Sequence, residues 1–463
     1  MCRDTKAFLY VFFSTFILAT AVFPQATEPD ETPVPSKRHW IAARWGGHFS
    51  NTLLYSFNRY VGKYDFAQVV WEDRREKLRD GWEWDHDAFA TNQFAHPYQG
   101  STYHAAARAN GFGFYGSILF DAFGSMSWEL FAETTPPSVN DLISTTLGGA
   151  SLGEMFHRLY LEINSPWGVL VSPLDSLNGL VTRRRPEKQS GRNIQDLSVV
   201  SGFEWTAARR YDRTGSLGLK AWDAAAANLG CHIIYGAPFE QRSSRPYNHF
   251  ELSFGGSFGS EAWYSMYIVS DGYLVSFSPV NSERKHISTG LTLNYDFFTD
   301  RNIDFFSEGL DWAVKYRRLL YNNTSVELKA HTGWTAFGAA SLNFYDSYNR
   351  LEETYRDYGT GANAKIFLSL AHPRWGKVSL ETLLYEMFIV SHDIPGSKGR
   401  DFYHLLGASY VYPLGDRMVL GVRSSAQGKR GDYDTLSGTR KWNRTVSVYA
   451  MFKPGPFGNQ AGG

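Results

Sequence analysis

The stretch LTLNYD (291–296) alternates apolar Leu291, Leu293 and Tyr295 with polar Thr292, Asn294 and Asp296. A period of two puts one set on each face of an extended strand. Outward from it, Phe250, Leu252 and Phe254 alternate with Glu251 and Ser253, and Val326, Leu328 and Ala330 with Glu327, Lys329 and His331. Similar segments fall near 216–222, 262–269, 272–278, 312–320, 362–370, 377–388, 403–412, 418–425 and 444–452, with turn signals such as Ser270-Asp271-Gly272, Pro413-Leu414-Gly415-Asp416 and Gly431-Asp432. Periodicity thus predicts about twelve strands, give or take two, as in an antiparallel outer-membrane-type β-barrel.

A soluble β-sandwich alternates in the same way, so the surrounding sequence decides. Residues 1–26 read as a signal peptide: Arg3 and Lys6 lead into an apolar run, and Ala19-Thr20-Ala21 or Pro24-Gln25-Ala26 precedes a cleavage point. Removing it takes Cys2 away and leaves Cys231 alone, so no intrachain disulfide is expected. Aromatic residues make up 16% of the chain, enough for girdles at a membrane interface. The last strand ends on Phe452, as such barrels do, although KPGPFGNQAGG follows. The expected location is the outer membrane. With 46 basic and 46 acidic residues there is no basic excess for nucleic acid, and the basic run at 182–186 reads as a solvated loop or a site near anionic headgroups.

Before the strands lies a helical module. A Pro-rich spacer at 27–36 is followed by a helical pattern at 46–61, and the block at 81–154 gathers most of the polar groups of chemical interest. An irregular connection is expected over 166–196. The expected domains are a helical plug or cap over 37–195, lumenal or periplasmic, a barrel over 196–453 and a tail over 454–463. From about Phe112 to Ala132, Ser117, Asp121, Ser125, Glu129 and Glu133 recur every four residues among large apolar ones. Glu129 and Glu133 repel each other and burial makes both costly, so a counter-charge is required. Arg108 is the first candidate and His96 the second. One reading is a buried polar network that fixes helix packing; the other has Glu129 or Glu133 orient His96 or exchange protons with it. Ser138 and Asp141 have the spacing of a capping box. The helix they start carries a small-residue stripe at Thr145, Gly149 and Gly153, and Glu154 is placed to pair with Arg158.

The block also carries Trp84, Asp85, Asp87, Asn92, His96-Pro97-Tyr98, Arg108, Asn110-Gly111, Trp128-Glu129, Asn140-Asp141 and Gly153-Glu154. On these residues it resembles a bacterial domain-of-unknown-function family, numbered 3943, of diderm bacteria. Asn178-Gly179-Leu180 stands where that family suggests Asn-Arg-Leu. The resemblance implies an outer-membrane-associated protein and brings no activity with it.

The leading functional expectation is a non-enzymatic envelope protein serving structure, small-molecule passage or docking. Its expected partners are outer-membrane lipid and a small-molecule or lipid ligand in the lumen. The alternative is a lipid acyl hydrolase or deacylase, with His96 as base, Ser117 or Ser125 as nucleophile, Glu129 or Glu133 as orienting carboxylate and Asn92 or Arg108 as oxyanion donor. No cofactor is expected: the glycine-rich runs lack a phosphate-loop lysine. Asp85, His86, Asp87 and His96 have no diagnostic metal spacing, and Asp401, His404 and His392 read as loop residues.

Overall fold

The computed structural model describes residues 39–85, 87–163, 165–182, 193–212, 220–237, 239, 243–341, 356–391, 396–436 and 438–454. The expected signal peptide and spacer, His86, most of the basic run, His392 and nearly all of the tail lie outside these residues. The chain divides into two compact units, Met1–Arg192 and Asn193–Gly463.

In the first unit, α1 (Trp40–Ser56) starts earlier than its pattern suggests and continues as a π-helical turn, Phe57–Gly62. The second helix, α2 (Trp71–Asp80), has no apolar stripe to announce it. It is favoured by acids in its first turn, Glu72 and Asp73, and bases in its last, Lys77 and Arg79. Then come α3 (His96–Ala109), α4 (Phe114–Phe131) and α5 (Val139–Glu162). The connection expected to be irregular instead holds α6 (Gly168–Val171) and α7 (Pro173–Thr182). Pro173 opens α7 at a position that suits proline, and the Ser172 hydroxyl donates to Asp175 at 2.6 Å.

Helices α3 and α5 run in the same direction and touch rung by rung. His96 meets Asp141, Gly100 meets Thr145 and Gly149, His104 meets Gly153, and Arg108 meets Glu154. A Cβ on Gly100 would lie 2.0 Å from the Thr145 carbonyl oxygen, and one on Gly149 2.7 Å from the Gly100 backbone. The stripe of small residues therefore lets the two backbones touch, which sets the register of every polar side chain beside it.

The second unit is a closed, fully antiparallel barrel of twelve strands. They are β1 Ile194–Asp212, β2 Lys220–Tyr235, β3 Phe250–Gly259, β4 Tyr264–Asn281, β5 Lys285–Asp300, β6 Asp304–Leu319, β7 Ser325–Ser341, β8 Arg356–His372, β9 Gly376–Ile389, β10 Gly399–Pro413, β11 Met418–Tyr433 and β12 Thr439–Phe452. β1 closes the ring on β12, from Val199 opposite Phe452 to Asp212 opposite Thr439. Two expected turns are absent: Ser270-Asp271-Gly272 lies inside β4, and Gly431-Asp432 lies inside β11, opposite Asp401 and Arg400 of β10. Asp271 faces Lys365 across the lumen, and Gly272 leaves room for the Tyr247 ring, whose nearest carbon would lie 2.1 Å from an added Cβ. Large apolar side chains such as Phe203, Trp205, Val378, Leu380, Val446 and Val448 are exposed on the outside. An apolar outer belt around a polar interior identifies an outer-membrane barrel rather than a soluble sandwich. Among the described residues no helix is long and apolar enough to cross a membrane.

Candidate functional site

Most of the residues singled out in the sequence fall into two of the buried polar clusters of the helical unit. The first surrounds the start of α5. Ser138 caps this helix, its hydroxyl accepting from the Asp141 N–H at 3.2 Å, as expected. The reciprocal half differs: the Ser138 N–H donates to Glu129 Oε2 at 2.9 Å, so a carboxylate from α4 replaces the Asp141 side chain in that role. Asp141 is instead held by Asn140 at 2.9 Å and lies 3.9 Å from His96 Nε2. Trp128 Nε1 donates to Glu133 at 2.6 Å, and Lys77 Nζ donates to the Glu129 carbonyl at 2.6 Å. Burial, then Glu133 and Asp141, drive the Glu129 pKa well above the carboxylate range; Asp141 is raised in the same way by burial and Asp85, and Glu133 chiefly by burial.

The second cluster includes a residue that sequence reading passed over. His104 is fully buried, its Nδ1 2.8 Å from Asp121 Oδ2 and its Nε2 3.2 Å from Glu154 Oε2. Glu154 also accepts from Arg108 Nη2 at 3.2 Å and from Arg158 Nε at 2.8 Å. Arg108 thus neutralises Glu154, not Glu129 or Glu133, because the α3–α5 register places it three rungs from that pair. The Glu154–Arg158 pair forms as expected. The signal that could have found His104 is its spacing of four from both Gly100 and Arg108, which puts it on the same face of α3.

Burial pulls the His104 pKa down, but Asp121 and Glu154 outweigh it and leave it raised to about 9. Burial raises Asp121 to about 6 against the pull of His104, while Arg108, Arg158 and His104 overcome burial to hold Glu154 well below the carboxylate range. A raised histidine stabilises the fold fully below its unfolded value of 6.5 and loses that contribution as pH rises through 9. The helical unit is therefore expected to lose roughly 3 kcal/mol over that interval. Asp121 and the Glu129 group act in the same sense, whereas Glu154 loses its contribution as pH falls. Denaturation of the refolded chain followed by circular dichroism between pH 6 and 9.5 reads this directly, and His104→Gln should flatten the slope.

The hydroxyl–imidazole pair required by the hydrolase alternative is not formed. Ser117 Oγ donates to the Gly113 carbonyl at 3.1 Å and Ser125 Oγ to the Asp141 carbonyl at 3.4 Å, so neither is hydrogen-bonded to His96. Asn92 donates to Asp85 at 3.0 Å.

The barrel lumen carries its own polar layers. Lys365 Nζ lies 2.6 Å from Asp296, 3.2 Å from Asp271 and 3.5 Å from Asp311, and the Tyr385 hydroxyl donates to Asp296 at 2.8 Å. Phe298, Phe305, Tyr385 and Tyr403 form an aromatic core inside the barrel, Phe305 stacking on Tyr403 at 4.2 Å. Beside it lies a cavity of about 1000 Å³, lined by Glu251 with Lys315 and Lys329, by Glu381 paired with Arg423, and by Tyr267 and Phe367. Among the described residues, Asp271, Asp311 and His331 bring ligand atoms within 4.8 Å of one another. The Lys365 ammonium already supplies a cation to both aspartates, so this group does not call for a metal. Asp401 pairs with Lys429 at 3.3 Å inside the barrel, on a strand rather than in the loop expected for it.

Solved structures with some likeness include an outer membrane channel from Pseudomonas putida F1 (10% identity, 58% of this chain and 100% of that one, TM-score 0.30). Others are the NanC porin (10%, 54% and 100%, 0.26) and the Pseudomonas putida toluene transporter TodX (9%, 56% and 89%, 0.24). The strand order of this barrel, not these faint likenesses, establishes its architecture. No curated protein matches the chain. Residues 81–172 match the model of the family described as Domain of unknown function (DUF3943), which bears out the resemblance carried by the block around His96 and Glu129.

Proposed function

We propose that the barrel holds or passes small solutes across the outer membrane, without making or breaking bonds. The observation that carries this reading is the lumenal cavity of about 1000 Å³. Its walls pair opposite charges, Glu251 with Lys315 and Lys329, and Glu381 with Arg423. Aromatic and apolar groups lie between them, so the lining offers hydrogen-bonding and apolar surface to one small polar or amphipathic solute. The plug-or-cap role expected of the helices belongs to the same proposal.

Reconstitution into planar bilayers and solute-loaded vesicles tests it. Wild-type protein is expected to give solute flux or a measurable conductance. Arg423→Ala, which leaves Glu381 without its partner, is expected to shift selectivity toward cations. Vesicles that neither leak nor retain any small solute would remove the basis for this reading.

A further inference from the structure

Two helices of the first unit, α1 and α4, turn large apolar side chains outward. In α1 the small and polar residues face inward: Ala43 and Asn51 are 1% and 8% exposed, and Gly46 and Gly47 lie against Ala106 and Tyr103. Asn51 donates to the Gly124 carbonyl at 3.1 Å and accepts from Gln99 at 3.0 Å and from the Tyr103 hydroxyl. Its large apolar residues face outward, with Ile41, Trp45 and Leu53 at 75%, 69% and 62% exposed. In α4, Phe114, Ile118 and Trp128 are buried together with Ser117 and Asp121, but Leu119 is 60% exposed and Phe123, Met126 and Phe131 also face outward. A helix on a water-soluble core does the opposite. In lipid, small residues and hydrogen-bonding groups belong at helix contacts and large apolar groups belong outside.

The two outward faces are continuous. Arg44 lies over the Phe123 ring at 5.2 Å, His48 packs edge-on to Phe123 at 5.7 Å, and Trp40 contacts Phe120 at 5.6 Å. Residues 40–63 contain Arg44, Arg59 and Lys63 and no Asp or Glu, so α1 and the turn that follows it add only basic charge to this face. Arg59 over Tyr60 at 5.9 Å and Arg74 over Phe131 at 6.0 Å repeat the pairing of a cation with an aromatic ring, the Arg59 guanidinium also donating to the Ala67 and Val69 carbonyls. The same chain continues from Thr182 at the end of α7 to a bilayer-crossing strand at Ile194.

We propose that the α1–α4 face is seated in the lipid of the bilayer that the barrel crosses, its aromatic and aliphatic residues among acyl chains and its basic residues against anionic headgroups. The contact is monotopic, since among the described residues no helix is long and apolar enough to span.

The test uses the full chain with Cys2→Ser and Cys231→Ser, reconstituted in vesicles of phosphatidylcholine and phosphatidylglycerol. A single cysteine carrying a polarity-sensitive fluorophore replaces Leu53, Leu119, Glu72 or Val448. Val448 marks the lipid belt of the barrel and Glu72 an exposed polar position. Labels at 53 and 119 are expected to lose emission to nitroxide lipid as fully as the label at 448, and to resist aqueous iodide. The label at 72 should do the reverse. Labels at 53 and 119 that iodide reaches as at 72 put the face in water and overturn the proposal. Labels shielded from both quenchers overturn it too, by showing that protein covers the face, whether a second copy or another segment. The proposal rests on the membrane reading of the barrel, and failure at 448 distinguishes the collapse of that reading from failure of the helical face alone.

Discussion

Glu154→Ala is expected to destabilise the helical unit by about 3 to 5 kcal/mol, the cost of stripping one partner from a buried ion pair. Glu154 is fully buried and accepts from Arg108, Arg158 and His104. Without it, two guanidiniums and an imidazole that burial would otherwise keep neutral face one another with only Asp121 to compensate. The comparison with Glu154→Gln separates charge from shape, because the amide fills the same space but is neutral and accepts through one oxygen instead of two. Arg108→Ala should cost less, since Arg158 still neutralises the carboxylate. Chemical denaturation of the refolded chain, followed by circular dichroism of the helices, gives the three values. A loss below about 1 kcal/mol for Glu154→Ala, the range of an exposed pair, would mean that the network does not tie α3 to α5.

Gly149→Val is expected to disrupt the helical unit while the barrel still closes. The new Cβ would meet the Gly100 backbone at 2.7 Å, and no flexible side chain is there to yield. The helices must part, which breaks the rungs at His96, His104 and Arg108 together, so the cost is expected to be about 3 kcal/mol or more, at the upper end of overpacking. Gly116→Ala is the matched control. Its nearest neighbour would be the Phe112 ring at 3.6 Å, an ordinary contact, and replacing a helical glycine by alanine there should gain up to about 1 kcal/mol. Limited proteolysis reads the helical unit, and the heat-modifiable migration of folded barrels in detergent gels reads the other. Equal protease resistance in Gly149→Val and wild type would refute the close-crossing account.

The strand total was legible in the sequence, but for partly offsetting reasons. β4 reads as two strands because Ser270-Asp271-Gly272 has the chemistry of a turn, and only the lumenal partner of Asp271 reveals that it is not one. β1 escapes notice because Ala207-Ala208-Arg209-Arg210 breaks its alternation, and in β2 the four alanines at 224–227 have no period at all. In the helical unit the polar face of α4 and the capping serine were readable from spacing alone. Partner choice was not. Whether Arg108 meets Glu129 or Glu154 depends on the register between α3 and α5, and that register is decided by where Gly100 and Gly149 allow two backbones to touch. His104 stayed hidden because its spacing of four from Gly100 and Arg108 says only that it shares their face of α3; its chemistry comes from helices brought to it by the fold.

The seam between β1 and β12 constrains how this protein can be made. Thr206 and Thr445 share a hydrogen bond across 239 residues of sequence, so the last strand synthesised closes the ring on the first. Until Thr439–Phe452 arrives, one side of β1 presents unpaired backbone groups that can recruit any passing strand. Closing so long a loop is also slow relative to local pairing. A ribosome-bound or half-exported chain therefore cannot reach the native ring. It must travel with that edge shielded, and loss of the final strand would leave an aggregation-prone open sheet rather than a smaller barrel.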